Sequence, residues 1–169
     1  MIAWALEINP SDPRVDPLQQ KLLHVYLENM AAQTVLFSGI ETVLTYIKQQ
    51  NIAWGIVTNR PAFLMLPVVK KFNLEKQTSY LVYGDTLTTC KPEPDMLLHA
   101  CKLTKIQPNE AWYIGDTEGD MIAAQRAGMP FVFAEYGYLR AESKKCEIKY
   151  DERISKPEDL IPLLQHTLN

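Results

Sequence analysis

Four short apolar runs, at 52–58 (IAWGIVT), 80–84 (YLVYG), 111–115 (AWYIG) and 131–136 (FVFAEY), are separated by segments with helical spacing. No other feature constrains the fold as strongly. Nearly continuous apolar strands joined by helices read as βα units on a parallel sheet buried on both faces. The connecting stripes are legible. Ile40, Val43, Leu44 and Ile47 share one helical face, and Ala62, Met65, Leu66, Val69 and Phe72 share another, with Pro67 expected to kink that helix or delay its start. Pro94 opens a helix carrying Leu97, Leu98 and Cys101, and the helix after Asp116 is expected to close at Gly128, where a left-handed cap suits glycine. Ser155 to Glu158 reads as a capping box before Leu160, Leu163 and Leu164, with Pro162 a further possible kink. Upstream, Asp16-Pro17 starts a helix that runs to about Met30 through Leu18, Leu22, Val25 and Tyr26. The expected class is α/β, a three-layer Rossmann-like core on a parallel sheet.

Ligands of such sheets gather at the carboxyl ends of the strands, and three of these ends carry polar chemistry. The first run ends in Thr58 and Asn59; the second leads to Lys91, framed by Pro92 and Pro94; the third ends in Asp116, with Asp120 in the following turn. A hydroxyl and an ammonium suit phosphoryl oxygens. Two carboxylates suit a hard, oxygen-seeking ion such as Mg²⁺. Each feature alone has a plainer role: turn chemistry for Thr58-Asn59, a solvated loop for Lys91, and helix-dipole stabilisation for Asp116, Glu118 and Asp120. Their order on successive strands favours a phosphate-and-metal site.

Composition narrows the partners. The net charge of −3, without basic or acidic runs, gives no reason to expect nucleic acid, and the apolar stretches are too short for a membrane span. Three widely spaced cysteines fit neither a zinc pattern nor a disulfide framework, so a reducing cytoplasm is expected. Trp4, Trp54 and Trp112 read as packing residues. His24, His99 and His166 show no ligand spacing, Cys90 beside Lys91 reads as an ordinary thiol, and Lys144-Lys145 reads as a solvated turn.

Thr58-Asn59, Lys91 in "KPEP", and "GDTEGD" resemble motifs two, three and four of the haloacid dehalogenase superfamily. The stretches "NPSDPRVDPLQQKLLHVYLENM", "GIVTNRP", "GDTLTTCKPEPDMLLHAC" and "AEYGYL" are similar to its phosphoglycolate phosphatase branch and to phosphatases of N-acetylmuramic acid 6-phosphate. The resemblance implies a phosphatase of small phosphate monoesters that works through an aspartyl-phosphate. In it Thr58 and Lys91 would serve the phosphoryl group, Asn59 would help place substrate, and Asp116 and Asp120 would hold Mg²⁺, with Glu118 a lesser candidate. Mutases of sugar phosphates share these motifs.

One motif of the resemblance is absent. The family's first strand ends Asp-x-Asp-Gly-Thr and supplies the nucleophile, and no such sequence occurs here. Asp85-Thr86-Leu87 echoes its end, but Tyr83 stands at the nucleophile position. Set beside the family, the sequence reads as beginning inside the helical cap: 1–34 as a partial cap, 35–169 as the core, and the central strand missing. The expectation is a chain without turnover of its own, whose exposed sheet edges invite self-association. A non-catalytic short form that binds a phosphorylated ligand or a partner is the alternative. The segment "MIAWALEI" is expected as the tail of a cap helix, with substitution into the missing strand's place as a lesser possibility.

Overall fold

The computed structural model describes residues 2–138 and 149–168. Cys146 and Lys144-Lys145 lie outside them. Along the chain come α1 (Ile2–Ala5), α2 (Val15–Gln33), α3 (Ile40–Gln49), β1 (Gly55–Val57), α4 (Ala62–Lys71), β2 (Tyr80–Val82), α5 (Asp95–Thr104), β3 (Tyr113–Gly115), α6 (Glu118–Ala127), β4 (Phe131–Ala134), β5 (Glu152–Ile154) and α7 (Leu160–Leu168). All strand pairs are parallel. The expected α/β architecture is present.

Strand alternation builds the layers. On β4, Phe131 and Phe133 face a cluster with Met96, Leu97 and Ala100 of α5 and Met121, Ala123 and Ala124 of α6. Val132 and Ala134 face the opposite cluster, with Val43 and Ile47 of α3, Ile154 of β5 and Leu160 of α7. Helices therefore cover both faces of the sheet, as a doubly apolar strand requires.

The sheet is in two pieces. β1 pairs with β2, and β3–β4–β5 form the second piece. Among the described residues, nothing pairs with the second edge of β1 or of β3. Between them lies a cavity of about 530 Å³, lined by Trp54, Ile56 and Val57 on one side and by Trp112, Tyr113 and Ile114 on the other. Ile2–Ala5 is helical and packs on α2, so the substitution of "MIAWALEI" for a strand does not occur.

Several local expectations are corrected. α4 starts at Ala62 and runs through Pro67, so the proline does not delay it. Its N-terminus is instead satisfied from outside, by an Asp85 carboxylate oxygen that accepts from the Ala62 N–H at 2.9 Å. Arg14, not Asp16, occupies the N-cap of α2, leaving Asp16 in its first turn. Asp159 rather than Glu158 caps the C-terminal helical segment: its carboxylate accepts from the N–H groups of Ser155 (3.0 Å) and Lys156 (3.1 Å). Trp4 is 85% exposed and packs no core. Gly128 closes α6 at φ +69°, as expected. No helix among the described residues is long and apolar enough to cross a membrane.

Candidate active site

The carboxyl end of β1 is tied to the loop after β2. The Thr58 N–H donates to the Val82 carbonyl at 2.9 Å and extends the β1–β2 pairing, while its Oγ1 accepts from the Arg60 N–H at 3.2 Å. Gly84 lies so close that a Cβ there would meet the Asn59 carbonyl oxygen at 2.1 Å. Only glycine allows that approach. Asn59 uses its whole amide on Lys91: Nδ2 donates to the Lys91 carbonyl at 2.8 Å and Oδ1 accepts from the Lys91 N–H at 3.0 Å. The residue expected to place substrate therefore also holds the lysine backbone. Arg60 is exposed on the same rim.

This clasp presents Lys91 inward, with its side chain only 11% exposed. Its ammonium donates to the Tyr113 hydroxyl (2.6 Å), the Asp120 Oδ1 (2.7 Å) and the Val57 carbonyl (3.1 Å), which uses all three of its protons. Asp120 is equally occupied. Its Oδ1 also accepts from the Tyr113 hydroxyl at 3.0 Å, and its Oδ2 accepts from the Thr117 hydroxyl at 2.6 Å and the Thr117 N–H at 3.2 Å. Thr117 is the N-cap of α6, so the Asp120 side chain forms half of a capping box. Gly115 leaves room for it, since a Cβ there would fall 2.5 Å from that of Asp120.

The electrostatics follow from burial. Burial alone would raise the Asp120 carboxyl, but the Lys91 charge and the hydrogen bonds from Lys91, Thr117 and Tyr113 outweigh it and hold the group below its ordinary range. Burial, with Asp120 next, pushes the Tyr113 hydroxyl far above its ordinary value, so it stays protonated and serves as a donor. Among the described residues no buried side-chain nitrogen or oxygen lacks a partner. Lys91 and Asp120 cancel in charge.

Asp116 shares no hydrogen bond with this network among the described residues, although its charge adds to the upward push on the Tyr113 hydroxyl. It follows β3, and its Oδ2 accepts from the Tyr138 N–H at 2.8 Å. The two aspartates thus differ in their hydrogen-bond partners, Asp120 bonding within the network and Asp116 to the Tyr138 backbone. Glu118 is exposed, and no group of three metal-ligating side chains forms among the described residues. Cys90 donates to the Gly84 carbonyl at 3.2 Å within the loop, Thr86 Oγ1 accepts from the Tyr83 N–H at 2.8 Å, and Asp85 is engaged at the N-terminus of α4.

Tyr113 and the Asn59–Lys91 clasp are absent from the reading of the sequence. A polar residue two positions before Gly115, hence on the same strand face, is the signal that could have pointed to Tyr113.

A family model described as haloacid dehalogenase-like hydrolase matches residues 3–134. The chain belongs to the haloacid dehalogenase-like hydrolase family. It is 31% identical to the N-acetylmuramic acid 6-phosphate phosphatase of Pseudomonas aeruginosa over 99% of this chain and 74% of that protein. It is also 32% identical to a phosphoglycolate phosphatase of Xanthomonas campestris over 86% of this chain and 66% of that protein. Among solved structures, a HAD-superfamily hydrolase from Geobacter sulfurreducens is 26% identical, with a TM-score of 0.68, over 80% of this chain and 64% of that one. A predicted phosphoglycolate phosphatase from Haemophilus somnus, at 23% identity, shares the fold with a TM-score of 0.86 over 96% of this chain and 72% of that one. The chain thus spans between about two thirds and three quarters of these relatives.

Proposed function

We propose that this haloacid dehalogenase-like chain carries the phosphate- and cation-binding part of a phosphomonoester phosphatase site. The buried Lys91, aimed by Asn59 and held by Asp120 at the carboxyl ends of β1 and β3, is the observation that carries this reading. An ammonium partly withdrawn from water attracts a phosphoryl group more strongly than one fully solvated. Its three protons are bonded in this arrangement, so an incoming phosphoryl oxygen exchanges with one of them, most simply the one on the Val57 carbonyl. The Thr58 hydroxyl supplies a second donor on the same rim.

A divalent cation such as Mg²⁺ fits this site on the chemistry of its donors. Once Lys91 and Asp120 cancel, Asp116 remains as the uncompensated hard oxygen donor, with one carboxylate oxygen held by Tyr138. Asp116 would be the direct ligand. Asp120, both of whose oxygens are already bonded, would act on the cation through water while holding Lys91 in place. The cation would spread the charge of the phosphoryl oxygens.

The nucleophile belongs in the cavity between β1 and β3. An extended segment there would be paired on both edges, and a carboxylate at its carboxyl end would stand beside Lys91. No Asp-x-Asp-Gly-Thr sequence occurs in the chain, so no turnover is expected without such a strand. The substrate is a small phosphate monoester resembling phosphoglycolate. A phosphorylated amino sugar is the second reading, favoured by the likeness to the Pseudomonas aeruginosa enzyme over nearly the whole chain. Phosphate release from the two substrates, compared in a strand-completed protein, tests the reading. A product that keeps its phosphate on another carbon would point to a mutase, and saturable binding of phosphate ester without turnover would point to a non-catalytic form.

A further inference from the structure

Asp116 is held by a strap that the motifs do not include. After β4 the chain turns, with the Gly137 N–H donating to the Ala134 carbonyl at 3.0 Å. The next amide, that of Tyr138, donates to Asp116 Oδ2. Gly137 itself lies against the aspartate: a Cβ at this position would fall 2.3 Å from the Asp116 Cβ and 2.4 Å from its Oδ2. The clash would involve the root of the side chain and not only its flexible end, so Asp116 would have to turn or the strap would have to lift.

The strap is braced from the other side of the chain. The Tyr138 ring lies 5.5 Å from that of Phe37, and Phe37 meets Tyr136 edge-on at 5.3 Å. Phe37 belongs to the segment joining α2 to α3. Aromatic contacts of this kind contribute about 0.5–1.5 kcal/mol each beyond area burial. Burial, and after it the Asp116 charge, raises the Tyr136 hydroxyl.

We propose that the Gly137–Tyr138 strap, braced by Phe37, positions the Asp116 carboxylate so that one oxygen is fixed by the protein and the other is presented to a divalent cation. The inference rests on the reading of Asp116 as a cation donor. Gly137 and Tyr138 are positioning residues that touch no substrate.

Mn²⁺ binding to the 169-residue chain, followed by the loss of free-ion signal in electron paramagnetic resonance, tests this without turnover. The wild-type chain should bind Mn²⁺ saturably and Asp116→Asn should not. Gly137→Ala should weaken binding roughly tenfold or more, the range for outer groups that orient a ligand, with little change in melting temperature. Phe37→Leu should weaken it less, in the same direction. Wild-type affinity in a folded Gly137→Ala would overturn the positioning role and leave the cation reading intact. Should Gly137→Ala not fold, unchanged affinity in Phe37→Leu overturns the proposal. No saturable binding in the wild type, or undiminished binding in Asp116→Asn, would overturn the cation reading and this inference with it.

Discussion

β3 and β4 lie side by side in one sheet piece, yet they differ in burial. β4 has a partner on each edge, and its four residues are 1–7% exposed. β3 has a partner on one edge, and Ile114 at its centre is 38% exposed. β1, also paired on one edge, is nowhere fully buried. Apolar character is therefore not what separates them; the open edges facing the cavity are. The polar rim above shows the reverse, since the Lys91–Asp120–Tyr113 network satisfies itself with groups already present. The charged groups of the site satisfy one another, whereas the edges of β1 and β3 that face the cavity have no partner among the described residues.

The largest expected effects test this contrast in the core. Phe131→Ala on β4 should cost about 3–5 kcal/mol in urea unfolding, whereas Ile114→Ala on β3 should cost under about 1 kcal/mol. Equal costs would mean that the cavity is filled in solution, for example by a second copy pairing edge to edge.

Lys91→Ala should destabilise by about 3 kcal/mol or more, because it leaves Asp120 as a buried, uncompensated charge. Adding Asp120→Asn to it should recover part of that loss. A neutral Lys91→Ala would show that the network is solvated and would remove the contrast between a self-satisfied rim and open strand edges.

A smaller effect is set by pH. The Asp120 carboxyl is depressed below its ordinary 3.8 in the folded state. A depressed carboxyl contributes stability above its unfolded pKa and loses it as pH falls through the lower, folded value. The stability difference between wild type and Asp120→Asn should therefore hold from pH 7 to about pH 4 and shrink below it. A difference that grows on acidification would contradict the ion pair.

The smallest effect belongs to Trp4. Trp4→Ser, at an 85% exposed position, should change stability by no more than about 0.5 kcal/mol. A larger loss, measured by thermal melting, would show that α1 is covered in solution.

The apolar runs disclosed the fold because each is long enough to span a strand, but they overstate its length. Residues 52–58 yield only Gly55–Val57, the three residues that pair with Tyr80–Val82. β5 gave no signal: Glu152, Arg153 and Ile154 do not alternate usefully, and only pairing with β4 makes them a strand. At the site, residue types and order pointed to Lys91, Asp116 and Asp120, and the structure gathers Lys91 with Asp120. Asp116 is bonded by Tyr138, a partner 22 residues away that no local pattern could supply. Asn59 carried the right chemistry, but a side-chain amide matching a backbone N–H and C=O 32 residues on is a tertiary fact.

The most direct test is phosphate release from phosphoglycolate with Mg²⁺. The 169-residue chain would be measured beside the same chain extended at its N-terminus by a linker and a strand ending Asp-x-Asp-Gly-Thr. The expected result is no turnover by the chain alone, and turnover by the extended protein that Lys91→Ala abolishes. Turnover by the chain alone, lost in Lys91→Ala, would place the nucleophile among its own residues and contradict the open cavity as the nucleophile's place.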